Sequence, residues 1–219
     1  MVAPTTAYSN DIFMEQIGDN LDLTIVQKGG KNSIGKYDSG SDIEGDDMTI
    51  QFHQEHSHDG SGNNKIEYWH LDGKNGSVEV RQGSDNLNNN GVRSDSIEYS
   101  GHYARVDFHG DDNTIRVGQR NPDDSPHSAT VDIWWADGVE VEVTQGSSGS
   151  KSASVLVRND DSNISVLQHN NGSHSASIST YGSQPSTISL EQKGSNANSY
   201  SLTQDCQTTG GCSVSVTQQ

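Results

Sequence analysis

The side chains with most chemistry to offer in this sequence are glutamines, and what they offer is hydrogen bonding. Gln16, Gln27, Gln54, Gln82, Gln119, Gln145, Gln168, Gln192, Gln204 and Gln218 each close a short run of the form apolar, any, apolar, any, Gln, as in Leu23, Ile25, Gln27 or Val141, Val143, Gln145. A primary amide carries both donors and an acceptor, so amides stacked one above another can bond along the stack as a ladder. A buried glutamine lacking such a partner costs about 1 to 3 kcal/mol, which is a reason for these residues to occur as a matched set.

Other residues suggest different chemistry. The acidic turns Gly45-Asp46-Asp47, Gly110-Asp111-Asp112-Asn113, Asn121-Pro122-Asp123-Asp124 and Asn159-Asp160-Asp161-Ser162-Asn163 offer the oxygen ligands that calcium takes. The nonapeptide glycine-aspartate calcium repeat is missing, so charge gatekeeping and solubility are their expected role. His53, His56 and His58 with Glu55 have a spacing suited to zinc or copper, but lack a fourth ligand in fixed geometry. We therefore expect no metal and no cofactor. Cys206 and Cys212, the only cysteines, flank Gly210-Gly211 and form a candidate loop-stapling disulfide, which points to an oxidising compartment. Trp69, Trp134 and Trp135 could stack on sugars, though so few scattered aromatics are more often incidental. With no Gly-x-Ser-x-Gly elbow, phosphate loop or His-Glu-x-x-His, no enzyme is expected.

The elements that must position the glutamines follow from the alternation. With a side-chain period of two, the two apolar residues and the Gln of each run share one face, which describes a half-buried strand. Gln119, Gln145, Gln168, Gln192 and Gln218 follow one another at steps of 26, 23, 24 and 26 residues, and Gln82, Gln54 and Gln27 extend the column backward with longer loops. Weaker runs interleave with it, among them Ile66, Tyr68, His70; Val131, Ile133, Trp135; and Ile178, Thr180, Gly182. Their closing residues give a second column of Gly110, Trp135, Asn159, Gly182 and Gln204. A repeat of two short strands and two turns is a solenoid rung. The expected fold is an all-β, two-strands-per-rung parallel β-solenoid of about eight rungs over residues 11–219, behind an N-terminal tail at 1–10. The register is weakest at 33–47 and at 86–110, where Ile97 with Tyr99 and Val106 with Phe108 both look like strands, leaving an insertion and an extra half-rung as alternatives.

Composition agrees with a thin core. Only 29% of the 219 residues are hydrophobic, which borders on disorder until the alternation is noticed. Two apolar residues per strand suffice when rungs stack at about 4.8 Å and two sheets close a narrow interior. The formal charge of -17 argues against nucleic acid and anionic membrane surfaces as partners. No run approaches the roughly 18 to 20 apolar residues that a membrane-spanning helix needs, so no membrane insertion is expected.

At Gln27-x-Gly29-x-x-Asn32 the sequence resembles the curlin repeat, whose pattern is Ser, five residues, Gln-x-Gly-x-x-Asn and a second strand closing on Gln; Ser162 to Gln168 and Ser186 to Gln192 reproduce its Ser-to-Gln spacing. The resemblance implies a secreted subunit of an extracellular curli-like amyloid fibre on the bacterial cell surface, contributing to biofilm matrix and adhesion. It implies assembly chiefly with itself, beside a minor nucleator subunit and secretion machinery. The chain departs from the family in its longer rungs, its acidic insertions and the loss of most Gln from one column. Met1 to Asn10 also lacks the basic start and apolar stretch of a signal peptide. No polar cap is visible, since a complete strand motif runs from Ser213 to Gln218 and another begins by Asp11, so end-to-end stacking into an open filament is expected. The main alternative is a monomeric binding solenoid for carbohydrate or ice, or a virion fibre, although the flat threonine array of an ice binder is missing. A parallel β-helix enzyme acting on polysaccharide would need carboxylates clustered on one face.

Overall fold

A computed structural model describes residues 11–28, 33–35, 42–55, 64–83, 102–120, 127–135, 137–146, 150–158, 162–169, 173–182, 186–193, 198–207 and 211–218. The strands are β1 (Asp11–Ile12), β2 (Gln16–Ile17), β3 (Asp22–Lys28), β4 (Ser33–Ile34), β5 (Asp42–Glu44) and β6 (Thr49–Glu55). They continue with β7 (Asn64–Asp72), β8 (Ser77–Gly83), β9 (His102–His109), β10 (Thr114–Arg120), β11 (His127–Trp134) and β12 (Val139–Gly146). The last six are β13 (Lys151–Arg158), β14 (Ser162–Gln168), β15 (His174–Gly182), β16 (Ser186–Gln192), β17 (Asn198–Cys206) and β18 (Ser213–Gln218).

These strands form two sheets. An 8-stranded sheet runs β3, β6, β8, β10, β12, β14, β16, β18, and a 10-stranded sheet runs β1, β4, β7, β9, β11, β13, β15, β17, with β2 beside β5 and β5 beside β7. Every pairing is parallel. The chain is an all-β parallel β-solenoid of two sheets, and no helix occurs among the described residues.

The core lies between the sheets and is built from in-register columns. Ile50, Val78, Ile115, Val141, Ile164 and Ile188 form one, and Phe52, Val80, Val117, Val143, Val166 and Leu190 form its neighbour, all buried. β-Branched residues suit such positions, and full burial of each such side chain contributes about 1.5–3 kcal/mol. A one-residue slip would turn every one of them outward, so the apolar alternation fixes the register.

In three places the alternation misled the sequence reading. In β7 the register shifts between Tyr68 and Leu71, so buried Leu71, and not His70, pairs with Phe108. A bulge inserts one unpaired residue and thereby changes which side chains face inward. Trp135 follows the end of β11 at φ 48° and is 79% exposed, so it turns out of the strand and is not a core residue. Gln204 pairs with Thr180, not with Gly182, because Ala176 occupies the first inward place of β15 opposite Tyr200. The weak region 33–47 holds the short strands β4 and β5, both beside β7. Val106 and Phe108 belong to β9, whereas Ile97, Tyr99 and the tail 1–10 lie outside the described residues.

Four-residue arcs at 18–21, 45–48, 73–76 and 110–113 carry the chain from the 10-stranded to the 8-stranded sheet. Their third residues Asn20, Asp47, Asn75 and Asp112 all have φ between 55° and 59°, a left-handed conformation that Asn and Asp tolerate. Their first residues are glycines in close contact: a Cβ on Gly73 would stand 1.8 Å from the Gly45 carbonyl oxygen, and one on Gly110 2.0 Å from that of Gly73. Only glycine fits where one arc lies this close to the next.

Candidate functional site

The glutamines of the 8-stranded sheet stand in one register, Gln27, Gln54, Gln82, Gln119, Gln145, Gln168, Gln192 and Gln218. All but Gln218 are buried. Gln54 Nε2 donates to Gln27 Oε1 at 2.9 Å, Gln82 to Gln54 at 2.8 Å, Gln119 to Gln82 at 2.9 Å and Gln145 to Gln119 at 2.8 Å. The bonds all point the same way, each amide donating toward the N-terminal end of the solenoid.

The Nε2 atoms of this column also donate to the main chain of the facing sheet. Gln27 reaches Ser33 O at 3.1 Å, Gln54 reaches Lys65 O at 2.9 Å and Gln82 reaches Tyr103 O at 2.9 Å. Gln119 reaches Ser128 O at 2.7 Å, Gln145 Ser152 O at 2.8 Å and Gln168 Ser175 O at 2.8 Å. The amide thus closes the core at the edge where each strand leaves the sheet.

Beyond Gln145 the register holds but the amide chain stops. Gln145 Oε1, Gln168 Oε1 and both side-chain polar atoms of Gln192 are buried without a hydrogen-bond partner among the described residues. Two members of the expected set stand elsewhere. Gln16 is in β2 and Gln204 in β17, both in the 10-stranded sheet. The run pattern is identical on strands of either sheet, so it cannot separate them. Spacing carried the signal: Gln16 to Gln27 is 11 residues and Gln204 to Gln218 is 14, about half the repeat.

The acidic arcs serve the fold itself. Asp19 Oδ1 accepts the Asp46 N–H at 3.1 Å, Asp46 Oδ1 the Lys74 N–H at 2.9 Å, and Asp111 Oδ1 the Asp137 N–H at 3.1 Å. Lys74 Nζ lies 2.7 Å from Asp111 Oδ2. That hydrogen bond, with the Asp137 N–H behind it, holds the Asp111 carboxyl below its usual range and raises Lys74 in return. Buried Asn113, grouped in the sequence with the acidic turn 110–113, donates to Gly73 O at 2.9 Å and Gly110 O at 2.8 Å and accepts from Gly76 N at 2.7 Å. The turns at 121–124 and 159–161 lie outside the described residues.

Among the described residues no three His, Cys, Asp or Glu side chains are grouped to hold a metal ion. His53 Nε2 is 3.8 Å from Glu79 Oε2, while His56, His58 and the Glu55 side chain lie outside the described set. Cys206 and Cys212 form a disulfide with a Cα–Cα distance of 5.9 Å, joining the end of β17 to the approach of β18. Compared with family models, curated proteins and solved structures, the chain matches none.

The outer face of the 10-stranded sheet carries Trp134, with the Arg158 guanidinium 3.6 Å from its ring centroid, and Trp135 at 6.3 Å; the Trp69 side chain is outside the described set. On the same face Arg105 lies 3.3 Å from Asp132, whose carboxyl is raised by burial against the opposing pull of Arg105 and Arg158. Buried His127, Lys151 and His174 stack in register beside an open recess of about 420 Å³. The sequence reading singled out Trp134 and Trp135 but not Arg158, Arg105 or Asp132, nor the His127 column, because the partners come from different rungs.

Exposed apolar side chains gather at the two ends of the stack. Of the seven large ones among the described residues, five (Phe13, Ile17, Val26, Val214 and Val216) lie in or beside the first and last strands. β3 pairs only with β6 and β18 only with β16 among the described residues, so each leaves an edge of backbone donors and acceptors.

Proposed function

We propose that this chain is a structural subunit of an extracellular curli-like amyloid fibre, built of about eight stacked rungs and extended by head-to-tail addition through its end strands. Adhesion and a place in a bacterial biofilm matrix go with this reading, as do secretion and a separate nucleating subunit. The observation that carries it is the likeness of the two free edges. β3 offers Leu23, Ile25 and Gln27, and β18 offers Val214, Val216 and Gln218, at the same register positions. An edge that repeats the interior pattern can accept a copy of the opposite edge, and such heterologous contacts continue without closing. The formal charge of -17 keeps such subunits apart until assembly is favoured.

Purified chain incubated at increasing concentration should yield unbranched filaments in electron micrographs, and oriented filaments should diffract at about 4.8 Å along the axis. A chain that stays monomeric at high concentration, with or without sonicated seeds, rules the reading out.

A further inference from the structure

The two glutamines that left the ladder occupy one column. Reading the pairings of the 10-stranded sheet from end to end gives Gln16, Ile43, Leu71, Phe108, Ile133, Val157, Thr180 and Gln204. Ile43, Leu71, Phe108, Ile133 and Val157 are all fully buried and apolar, and Thr180 is buried as well. The amides stand only at the two ends. Inside the solenoid a Gln closes the strand motif on the 8-stranded sheet alone, whereas the first and last rungs have one on both sheets.

Each end therefore presents a matched face. The leading face carries Ile12, Met14 and Gln16 from one sheet side and Leu23, Ile25 and Gln27 from the other; the trailing face carries Tyr200, Leu202 and Gln204 with Val214, Val216 and Gln218. Placing a second copy one rung beyond β17 and β18 sets its Gln16 over Gln204 and its Gln27 over Gln218 in the existing register.

We infer that Gln16 and Gln204 form a junction-specific amide pair between successive copies of this chain, an inference that rests on the fibre reading above. Gln204 Nε2 already donates to Ser186 Oγ at 3.0 Å, which turns its oxygen into the group to be offered onward. Gln16 sits exposed on β2, and its Nε2 makes a long contact of 3.4 Å to Ile17 O. The incoming Gln16 donates to the waiting Gln204 oxygen, which is the polarity of the ladder in the other sheet. An amide at this column also specifies the register: a copy shifted by one residue would set the amide against the outward face and bring apolar residues to the surface. A second copy supplies both amides and both apolar pairs at this spacing.

The test uses the full chain in seeded elongation, with circular dichroism of each monomer to confirm unchanged strand content. Seeds of Gln204→Glu are offered monomers of Gln16→Glu, of Gln16→Lys and of wild type, and Thr203→Glu, on the outer face beside Gln204, controls for added charge. Two carboxylates at the junction are expected to slow elongation at least about tenfold, since like charges brought together cost several kcal/mol and 1.4 kcal/mol is tenfold. Gln16→Lys on the same seeds should restore the wild-type rate to within about threefold. Wild-type chain that forms no filaments overturns the fibre reading. Filaments that elongate equally whether Gln16→Glu monomers meet Gln204→Glu or Thr203→Glu seeds overturn the junction pair and leave the fibre reading standing.

Discussion

The two edges of this solenoid solve the same problem by different means. On one edge the first four crossings from the 10-stranded to the 8-stranded sheet are four-residue arcs that start on a glycine, packed on the preceding arc from Gly45 onward, and carry an Asn or Asp at positive φ. On the other edge the connections differ widely, and a glutamine does the closing. The amide and the main-chain oxygen it grips are separated by 6 residues at Gln27, 11 at Gln54, 21 at Gln82, 9 at Gln119 and 7 at Gln145 and Gln168. These four arcs keep one length, and their main chains hydrogen-bond from one arc to the next, as Asp47 N does to Lys74 O and Asn75 N to Asp111 O. A side-chain amide bonds to the strands, so the loop between them is left out of the closure and is free to vary.

Replacing the arc glycine should do the most damage. Gly73→Ala forces a methyl group against the Gly45 carbonyl and is expected to lower unfolding stability by about 3 kcal/mol or more, read from the urea midpoint. Gly118, whose added Cβ would meet nothing nearer than Val80 O at 3.8 Å, is the matched control, and Gly118→Ala should change stability by less than about 0.5 kcal/mol. Similar losses at both sites would mean that the arcs are not the rigid edge.

The ladder edge is divided within itself. Gln119→Leu removes an amide bonded to Gln82, to Gln145 and to Ser128 O, and should cost about 2 to 3 kcal/mol because its partners stay buried. Gln192→Leu removes an amide with no partner on either polar atom, so stability should hold or rise. Equal destabilisation in thermal melts of the two variants would count against the ladder.

At the last rung a disulfide stands where earlier turns have an arc. Cys206→Ser with Cys212→Ser opens a six-residue separation and is expected to cost about 2 kcal/mol in the chain-entropy account, visible first as faster hydrogen exchange in β17 and β18. Unchanged exchange there would make the bond redundant to strand pairing.

The smallest effect lies in the arc charges. Asp111 has a folded pKa lowered mainly by the Lys74 hydrogen bond, so its contribution is present above the ordinary carboxylate pKa of about 3.9 and fades as pH falls through the lowered folded value. Lys74→Met should shrink the stability difference between neutral pH and about pH 3. A difference as large as that of wild type would place the acid sensitivity elsewhere. Asp132 works in the opposite sense, since burial raises its pKa and its protonation on acidification removes a penalty.

Much of this fold was legible in the alternation. Period-two runs closing on Gln located β3, β6, β8, β10, β12, β14, β16 and β18, because side-chain direction in a strand depends only on parity. The paired cysteines were legible from their separation alone. The disulfide partners, the Gln column and the glycine turns are all local features or repeats of local features. The bulge at Tyr68 to Leu71, the outward turn of Trp135 and the place of Gln204 opposite Thr180 were not, because each breaks the parity on which the reading depended.

What the sequence determined by itself is the kind of object this is: a stack of short strands with amides at repeating positions, too poor in apolar residues to fold in any other way than a narrow two-sheet core. Which glutamines meet was decided only in three dimensions. Two identical motifs one half-repeat apart lie on opposite sheets, and whether an amide finds another above it depends on pairing between residues 23 to 37 apart at every step of the 8-stranded sheet. The same holds for the Asp side chains in the arcs, whose hydrogen-bond donors belong to the next rung. Periodicity reveals the direction a side chain faces; the stacking of rungs supplies its partner.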